Sequence, residues 1–264
     1  MRKFTRRTSA DANSYQVKTK RGYSITGKLG DGVDNRIAVY RDYEPGASDF
    51  IASHAAKADC FVDIGCNVGW FSCLVASLPS RPTHIVSIDA NPAMVESCKR
   101  NLALNAFTSA TRVCAIGHER GSVTFHIPER RHSRASIGSA NANTFGAGMK
   151  SITVDMVPLA EIIDTLPLGR CDLMKMDIEG FELAALRVLP RETALKIGLI
   201  VMEYTTETLA GCGFPGMTLG VLPWLDAFSV HTLNNDGTLD DVKDPVNYSP
   251  EDTTFVLKNR TWAV

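Results

Sequence analysis

Cys60-Phe-Val-Asp-Ile-Gly-Cys-Asn-Val-Gly-Trp-Phe-Ser-Cys-Leu-Val-Ala-Ser77 is the stretch from which the fold can be read. Phe61, Val62 and Ile64 form a short apolar run with the make-up of a buried parallel strand. Trp70, Phe71, Cys73, Leu74, Val75 and Leu78 recur at helical spacing until Pro79 stops them. Between the two lies Asp63-x-Gly65-x-Asn67-x-Gly69, which predicts a strand-to-helix turn. Gly65 and Gly69 bring backbone close to a ligand without a Cβ in the way. Asn67 is the side-chain-bearing residue best suited to positive φ. Such a turn is expected to aim unpaired backbone N–H groups at a bound molecule.

A dinucleotide fingerprint requires Gly-x-Gly-x-x-Gly. From Gly65, its second and third glycines fall on Asn67 and Trp70, so the pattern fails twice. The Gly-Lys-Ser/Thr ending of a phosphate-binding loop is absent as well. What remains is an acid at a strand end followed by spaced glycines. An acid repels phosphate and suits a ligand with an ammonium and a second cationic centre. S-adenosylmethionine carries both, and the loop reads as its site.

Outward from this stretch the chain alternates. His84 to Asp89 is a second buried strand, and Asn91-Pro92 caps a helix running to about Leu104. Thr111 to Ile116 is a third strand, Cys171 to Ile178 a fourth and Lys196 to Glu203 a fifth. This order builds a parallel sheet with helices on both faces. Upstream, weak alternation from Ser14 to Val39 predicts a few short antiparallel strands. Ser48 reads as the N-cap of a helix reaching about Ala58. Gly121 to Ile127 starts a β excursion, and residues 128–150 lose their hydrophobic pattern, as a mobile loop would. Ser151 to Val157 restores it, Leu159 to Asp164 is helical, and closing strands follow at Phe228 to Leu233 and Thr253 to Leu257. The organisation is an N-terminal arm and small β extension over residues 1–45, then one domain over 46–264.

Four strands end in acids: Asp63, Asp89, Asp177 and Glu203. Ligands of open α/β sheets bind outside the carboxyl ends of the strands. Each acid could merely cap a helix, but four together point to a site. Asp89 follows Gly65 at roughly the spacing at which an acid reaches both ribose hydroxyls. Lys175 shares a strand face with Asp177 and is expected to bridge to Asp177, Glu203 or Asp63.

Composition excludes several classes. The 264 residues carry a net charge of −1, so no basic field points to nucleic acid, and no apolar run is long enough for a bilayer. Seven scattered cysteines without a Cys-x-x-Cys pair argue against metal knuckles and for free thiols in a reducing, cytoplasmic setting.

The residues Phe61 to Gly69, Ile88-Asp-Ala-Asn-Pro92, Asn101 to Asn105, Ile200 to Glu203, and above all Lys175-Met-Asp-Ile-Glu-Gly-Phe-Glu182 resemble the FkbM family of class I S-adenosylmethionine-dependent methyltransferases. Tyr43-Glu44-Pro45 also fits. The resemblance implies a Rossmann-like α/β fold whose seven-stranded, mostly parallel sheet has its last strand antiparallel. It implies Asp63, Gly65, Cys66, Asn67 and Gly69 around the methionyl part of the cofactor, with Asp89 and Ala90 at the ribose. It also places Ala115 and Ile116 near the adenine, Glu44 at the cofactor, and Asp177 near the transferring methyl group. No metal is assigned.

Members of this family mostly methylate hydroxyl oxygens of sugars and secondary metabolites, so a small hydroxylated acceptor is expected, with a homo-oligomer left open. Deprotonating a hydroxyl needs a base within reach. Asp177 and Glu179 are the first candidates, His132 and His231 the next. A nucleic-acid methyltransferase or a non-catalytic S-adenosylmethionine-binding protein are the alternatives.

Overall fold

The computed structural model describes residues 13–128, 135–138 and 148–262. Most of the expected mobile loop, and His132 with it, lies outside the described residues.

The first strands, β1 (Ser14–Lys18) and β2 (Ser24–Lys28), form an antiparallel hairpin. The strand expected around Ile37 and Val39 is instead helix α1 (Gly32–Tyr40). Asp31 caps it by accepting from the Val33 N–H at 2.9 Å, and Arg41 closes it in the left-handed region at φ 54°. Ile37 is fully buried while Val39 is 70% exposed, so the two residues do not share an inward face. Helix α2 (Pro45–Ala55) starts earlier than expected, because Pro45 occupies its first turn. Ser48 is not its cap. Its hydroxyl donates to the Tyr43 carbonyl at 2.8 Å and accepts from the Trp70 indole at 2.9 Å.

Then come β3 (Cys60–Ile64), α3 (Trp70–Ala76), β4 (His84–Asp89) and α4 (Pro92–Leu104), the last capped by Asn91 as expected. The third strand divides at Cys114, whose N–H turns to the Asp89 carbonyl. β5 (Ala110–Val113) pairs with β4, whereas β6 (Ala115–Gly117) joins a second sheet with β7 (Gly121–Pro128) and β8 (Met149–Pro158). After α5 (Leu159–Asp164) come β9 (Cys171–Met176), α6 (Glu182–Leu186), α7 (Arg191–Ala194), β10 (Ile197–Thr205), α8 (Thr206–Gly211), β11 (Phe228–Leu233), β12 (Leu239–Asp241) and β13 (Asp252–Asn259).

The main sheet has the order β12-β11-β13-β10-β9-β3-β4-β5. β5, β4, β3, β9 and β10 are mutually parallel, and β13 runs antiparallel between β10 and β11. The expected seven strands are present, and three-residue β12 adds an eighth at one edge. Alternate residues feed two cores, as the strand period requires. Phe61, Leu173, Leu199 and Val201 pack with the N-terminal hairpin and the first helices. Val62, Ile64, Met174, Met176, Ile200 and Met202 pack on the other face with residues of α5, α6 and α8. From β3 the chain runs outward to β5 and later returns to β9, so the ends of β3 and β9 lie side by side at the switch point. Among the described residues no helix is long and apolar enough to cross a membrane. All seven cysteines carry free thiols.

Candidate functional site

The turn after β3 is held by its own protein neighbours. Gly65 and Cys66 donate their N–H groups to the Ile88 carbonyl at 2.8 and 3.0 Å, and Gly69 donates to Cys66 at 2.8 Å. Asn67 takes positive φ (48°), and its N–H donates to Asp89 Oδ2 at 2.9 Å. These donors are therefore spent, and the expected row of unpaired N–H groups is not formed at these positions. The glycines also act differently from expectation. A Cβ on Gly65 would stand 1.7 Å from the Asp177 carbonyl oxygen, and one on Gly69 2.6 Å from Cys98 Sγ. Gly65 lets two strand ends touch, and Gly69 lets α4 approach. Neither makes its room for a ligand. Cys66 is likewise turned inward, where a hydrogen bond with Cys98 and burial push its thiol up.

Asp63 has no exposed surface. Its Oδ2 accepts from Ser72 at 2.6 Å, and Ser72 continues to Ser87 at 2.7 Å, while Oδ1 has no hydrogen-bond partner among the described residues. Burial pushes its carboxyl up, with Lys175 opposing. A direct ligand contact, as expected for Asp63, is thus not offered by this geometry. The residue supports the loop from behind.

In front of the loop is a cavity that opens to solvent. It is walled by Gly65, Asn67, Asp89, Ala90, Ala115, Ile116, Asp177 and Glu179, all singled out from sequence. Its apolar remainder, including Met94, Phe125, Ile137 and Phe181, was not. Those residues come from α4, the second sheet, residues 135–138 and the turn before α6, and only the fold assembles them. Asp89 Oδ1 accepts from the Asn91 N–H at 2.8 Å, so each of its oxygens has one protein donor. A carboxylate has about four lone-pair sites, which leaves acceptor capacity on both oxygens for a pair of hydroxyls. Burial raises Asp89 to about 6, against its two backbone hydrogen bonds.

The turn after β9 explains the run from Lys175 to Glu182. Glu179 and Gly180 both take positive φ, 55° and 100°. Buried Glu182 ties the turn down, accepting from Ile178 N–H at 2.6 Å and Gly180 N–H at 3.0 Å. Burial still raises Glu182 to about 7. Ser136 and Cys212 both donate to the Glu179 carbonyl. Glu182 is thus a brace, and Asp177 and Glu179 are what the brace presents.

Asp177 and Glu179 also border a second hollow, an open cleft that shares Asn67 with the cavity. Glu44, Glu203, Glu207, Glu251 and Asp252 line it, with Arg36 as a cation. Glu44, expected at the cofactor, therefore lies on this side. Lys175 Nζ donates to Asp177 Oδ2 at 2.9 Å, the pairing anticipated from the strand face. Burial opposes charge on both partners, yet their attraction raises Lys175 and holds Asp177 below the ordinary carboxylate range. Glu203, one of the three acids open to Lys175 from sequence, lies beside Asp177 at the small pocket that Lys175 borders, and the negative charge of Asp177 pushes its carboxyl up. His231 lies on β11, bonded to Ser229 at 3.0 Å and beside Asp241 on β12, and lines neither hollow. It is not a base for this site. No group of three or more metal-ligating side chains is poised for an ion among the described residues.

The model of the methyltransferase FkbM domain matches residues 63–224, from Asp63 through the cavity, both turns and Glu203. The chain belongs to the FkbM methyltransferase family. It is a methyltransferase. This FkbM-family chain is 23% identical over 225 residues to methyltransferase sdnD of Sordaria araneosa, covering 75% of this chain and 80% of that protein. Among solved structures, the FkbM methyltransferase of Methylobacillus flagellatus KT is similar at 15% identity and TM-score 0.41, over 76% of this chain and 44% of that one. The tRNA (uracil-54, C5)-methyltransferase of Pyrococcus abyssi, solved with S-adenosyl-L-homocysteine, is similar at 10% identity and TM-score 0.49, over 96% and 48% respectively.

Proposed function

We propose that this methyltransferase uses S-adenosylmethionine and methylates a hydroxyl of a small acceptor. The observation that carries the reading is a single cavity bounded by the carboxylates of Asp89 and Asp177, on strands either side of β3. The residues fit the cofactor. The apolar walls suit an adenine, and Asp89 keeps acceptor capacity on both oxygens for ribose hydroxyls. The acids at the strand ends suit cationic groups, and the loop donors that would serve a phosphate are already engaged.

When bound, S-adenosylmethionine supplies a sulfonium-linked methyl group. The chain itself has to align the acceptor and take its proton. Asp177 stands where cavity and cleft meet, and Lys175 keeps it charged, so it accepts the hydroxyl proton. Glu179 lies beside it and contacts the acceptor. The carboxylates of the cleft favour a neutral or cationic acceptor over a phosphorylated one, and they oppose a nucleic-acid backbone.

Calorimetry is expected to show binding of S-adenosylmethionine, and tighter binding of NAD would overturn the cofactor assignment. A mass screen of hydroxylated acceptors should yield a product heavier by one CH₂. With that acceptor, Asp177→Asn should lower kcat by about 10²–10⁴ and leave cofactor affinity within a few-fold. Normal turnover would remove Asp177 from the chemistry.

A further inference from the structure

We propose that Glu203 is a positioning residue for Asp177, and that the two carboxyls hold one proton between them at the junction of cavity and cleft. This rests on the methyl-transfer reading of the same site.

Backbone register brings the pair together. Met202 on β10 lies beside Met176 on parallel β9, so the next residues, Glu203 still within β10 and Asp177 just past the end of β9, come side by side. Lys175 and Val201 are partners two positions earlier, which puts Lys175, Asp177 and Glu203 on one face. Both carboxyls line the open cleft and the small pocket that Lys175 borders. Two carboxyls set side by side on one face repel when both are charged, and a hydrogen bond between them requires a proton on one.

Local charge also requires that proton. The Lys175 ammonium feels Asp177, Asp63 and Glu44, Glu203 feels Lys175 and Glu179 in turn, and Glu44 also feels Arg36. Two cations among five carboxyls cannot offset five negative charges, and adjacent carboxyls then retain a proton. Asp177 has the direct ion pair at 2.9 Å and is the member that stays ionised. Glu203 is the member that keeps the proton. The negative charge of Asp177, then burial, then their hydrogen bond push it up to about 11.

The arrangement fixes the reacting carboxylate from two sides. Lys175 Nζ donates to Asp177 Oδ2, and the Glu203 O–H donates to the same carboxylate group. As the acceptor oxygen gains its bond to the methyl carbon, the methyl–sulfur bond of the donor breaks with its electron pair left on sulfur, and the acceptor O–H bond breaks with its proton passing to Asp177. The pair goes from singly charged to neutral and then returns one proton to water through the open cleft. No other reactant is needed.

The test uses the full chain and needs no acceptor. Infrared spectra of protein labelled with ¹³C at glutamate carboxyls, followed through a pH titration, should show a protonated glutamic acid that persists well above the ordinary glutamate range. The band should vanish in Glu203→Gln, and Asp177→Asn should shift its titration down by several pH units. Absence of the band in the unmutated protein, or its persistence unchanged in Asp177→Asn, overturns the proposal. With a turned-over acceptor, Glu203→Gln keeps an N–H donor and should stay within about tenfold of normal kcat, whereas Glu203→Ala should lose about 100-fold. Equal losses in both would overturn the positioning role. Calorimetry with S-adenosylmethionine separates the two levels. Normal binding without the band removes only the pair, whereas the band without binding removes the methyl-transfer reading.

Discussion

The cavity and the cleft share a rim at Asn67, Asp177 and Glu179, but they are built from opposite materials. The cavity is mostly apolar, so the carboxylate of Asp89 is strongly felt there, and burial raises it to about 6. The cleft is open, and Glu207, Glu251 and Asp252 on its walls are exposed. Water screens each of those charges, so their number sets the field and no single one decides it. One hollow selects by shape and two or three polar atoms, the other by overall sign. Asp177 belongs to both, because Gly65 allows β3 and β9 to end in contact.

The largest effect should come from breaking that shared rim. Gly65→Ala puts a Cβ 1.7 Å from the Asp177 carbonyl at a φ of 78°. The expected cost is roughly 3–5 kcal/mol of stability, with loss of cofactor binding. Thermal melting and calorimetry check this, and a normal melt with normal affinity would mean that the strand ends yield easily.

An intermediate effect isolates the cavity. Asp89→Asn should weaken S-adenosylmethionine binding by about 10–100-fold, the worth of hydrogen bonds to a charged group. The unmutated protein should show a matching pH dependence. Burial raises Asp89 to about 6, so the charged form is present above that value and lost below it. Affinity should fall about tenfold per pH unit as pH drops below 6, and this slope should be absent in Asp89→Asn. Equal slopes in the two proteins would assign the titration elsewhere.

The smallest effect belongs to the cleft. Glu251→Gln removes one screened charge and should raise kcat/KM for a phosphorylated acceptor relative to a neutral one by only about two- to threefold, less at high salt. A tenfold change would show that the cleft acts through one residue, as the cavity does.

The difference between the hollows also decided what could be read from sequence. The turns after β3 and β4 were legible because Gly65, Asn67, Gly69, Asn91 and Pro92 are local signals with local causes. The acids at the strand ends were legible for the same reason. What those groups touch was not. The missing Cβ atoms of Gly65 and Gly69 face Asp177 and Cys98, residues remote in sequence. α1 was misread because Ile37 and Val39 mimic an alternation in so short a segment, and the cap at Asp31 outweighs it. The split at Cys114 depends on β8, which arrives some forty residues later. Glu203 was one of three acids open to Lys175, and its place beside Asp177 became visible only once β10 was laid beside β9.

The hairpin ahead of these hollows ends on two amides. Asn101 accepts from the Thr26 N–H at 2.8 Å and donates to the Thr26 carbonyl at 3.0 Å, and Asn105 does the same for Ser24 at 2.7 Å each. A helix thus offers β2 the bonds that a neighbouring strand would otherwise supply. Exposed strand edges are templates for pairing with other chains, and β2 has β1 on one side and these side chains on the other. Asn101 also donates to the Val68 carbonyl at 2.8 Å, inside the turn that follows β3. The groups that keep this edge from recruiting a foreign strand therefore also tether the hairpin to the turn after β3, so protection against aggregation and placement of that turn are carried by the same amide.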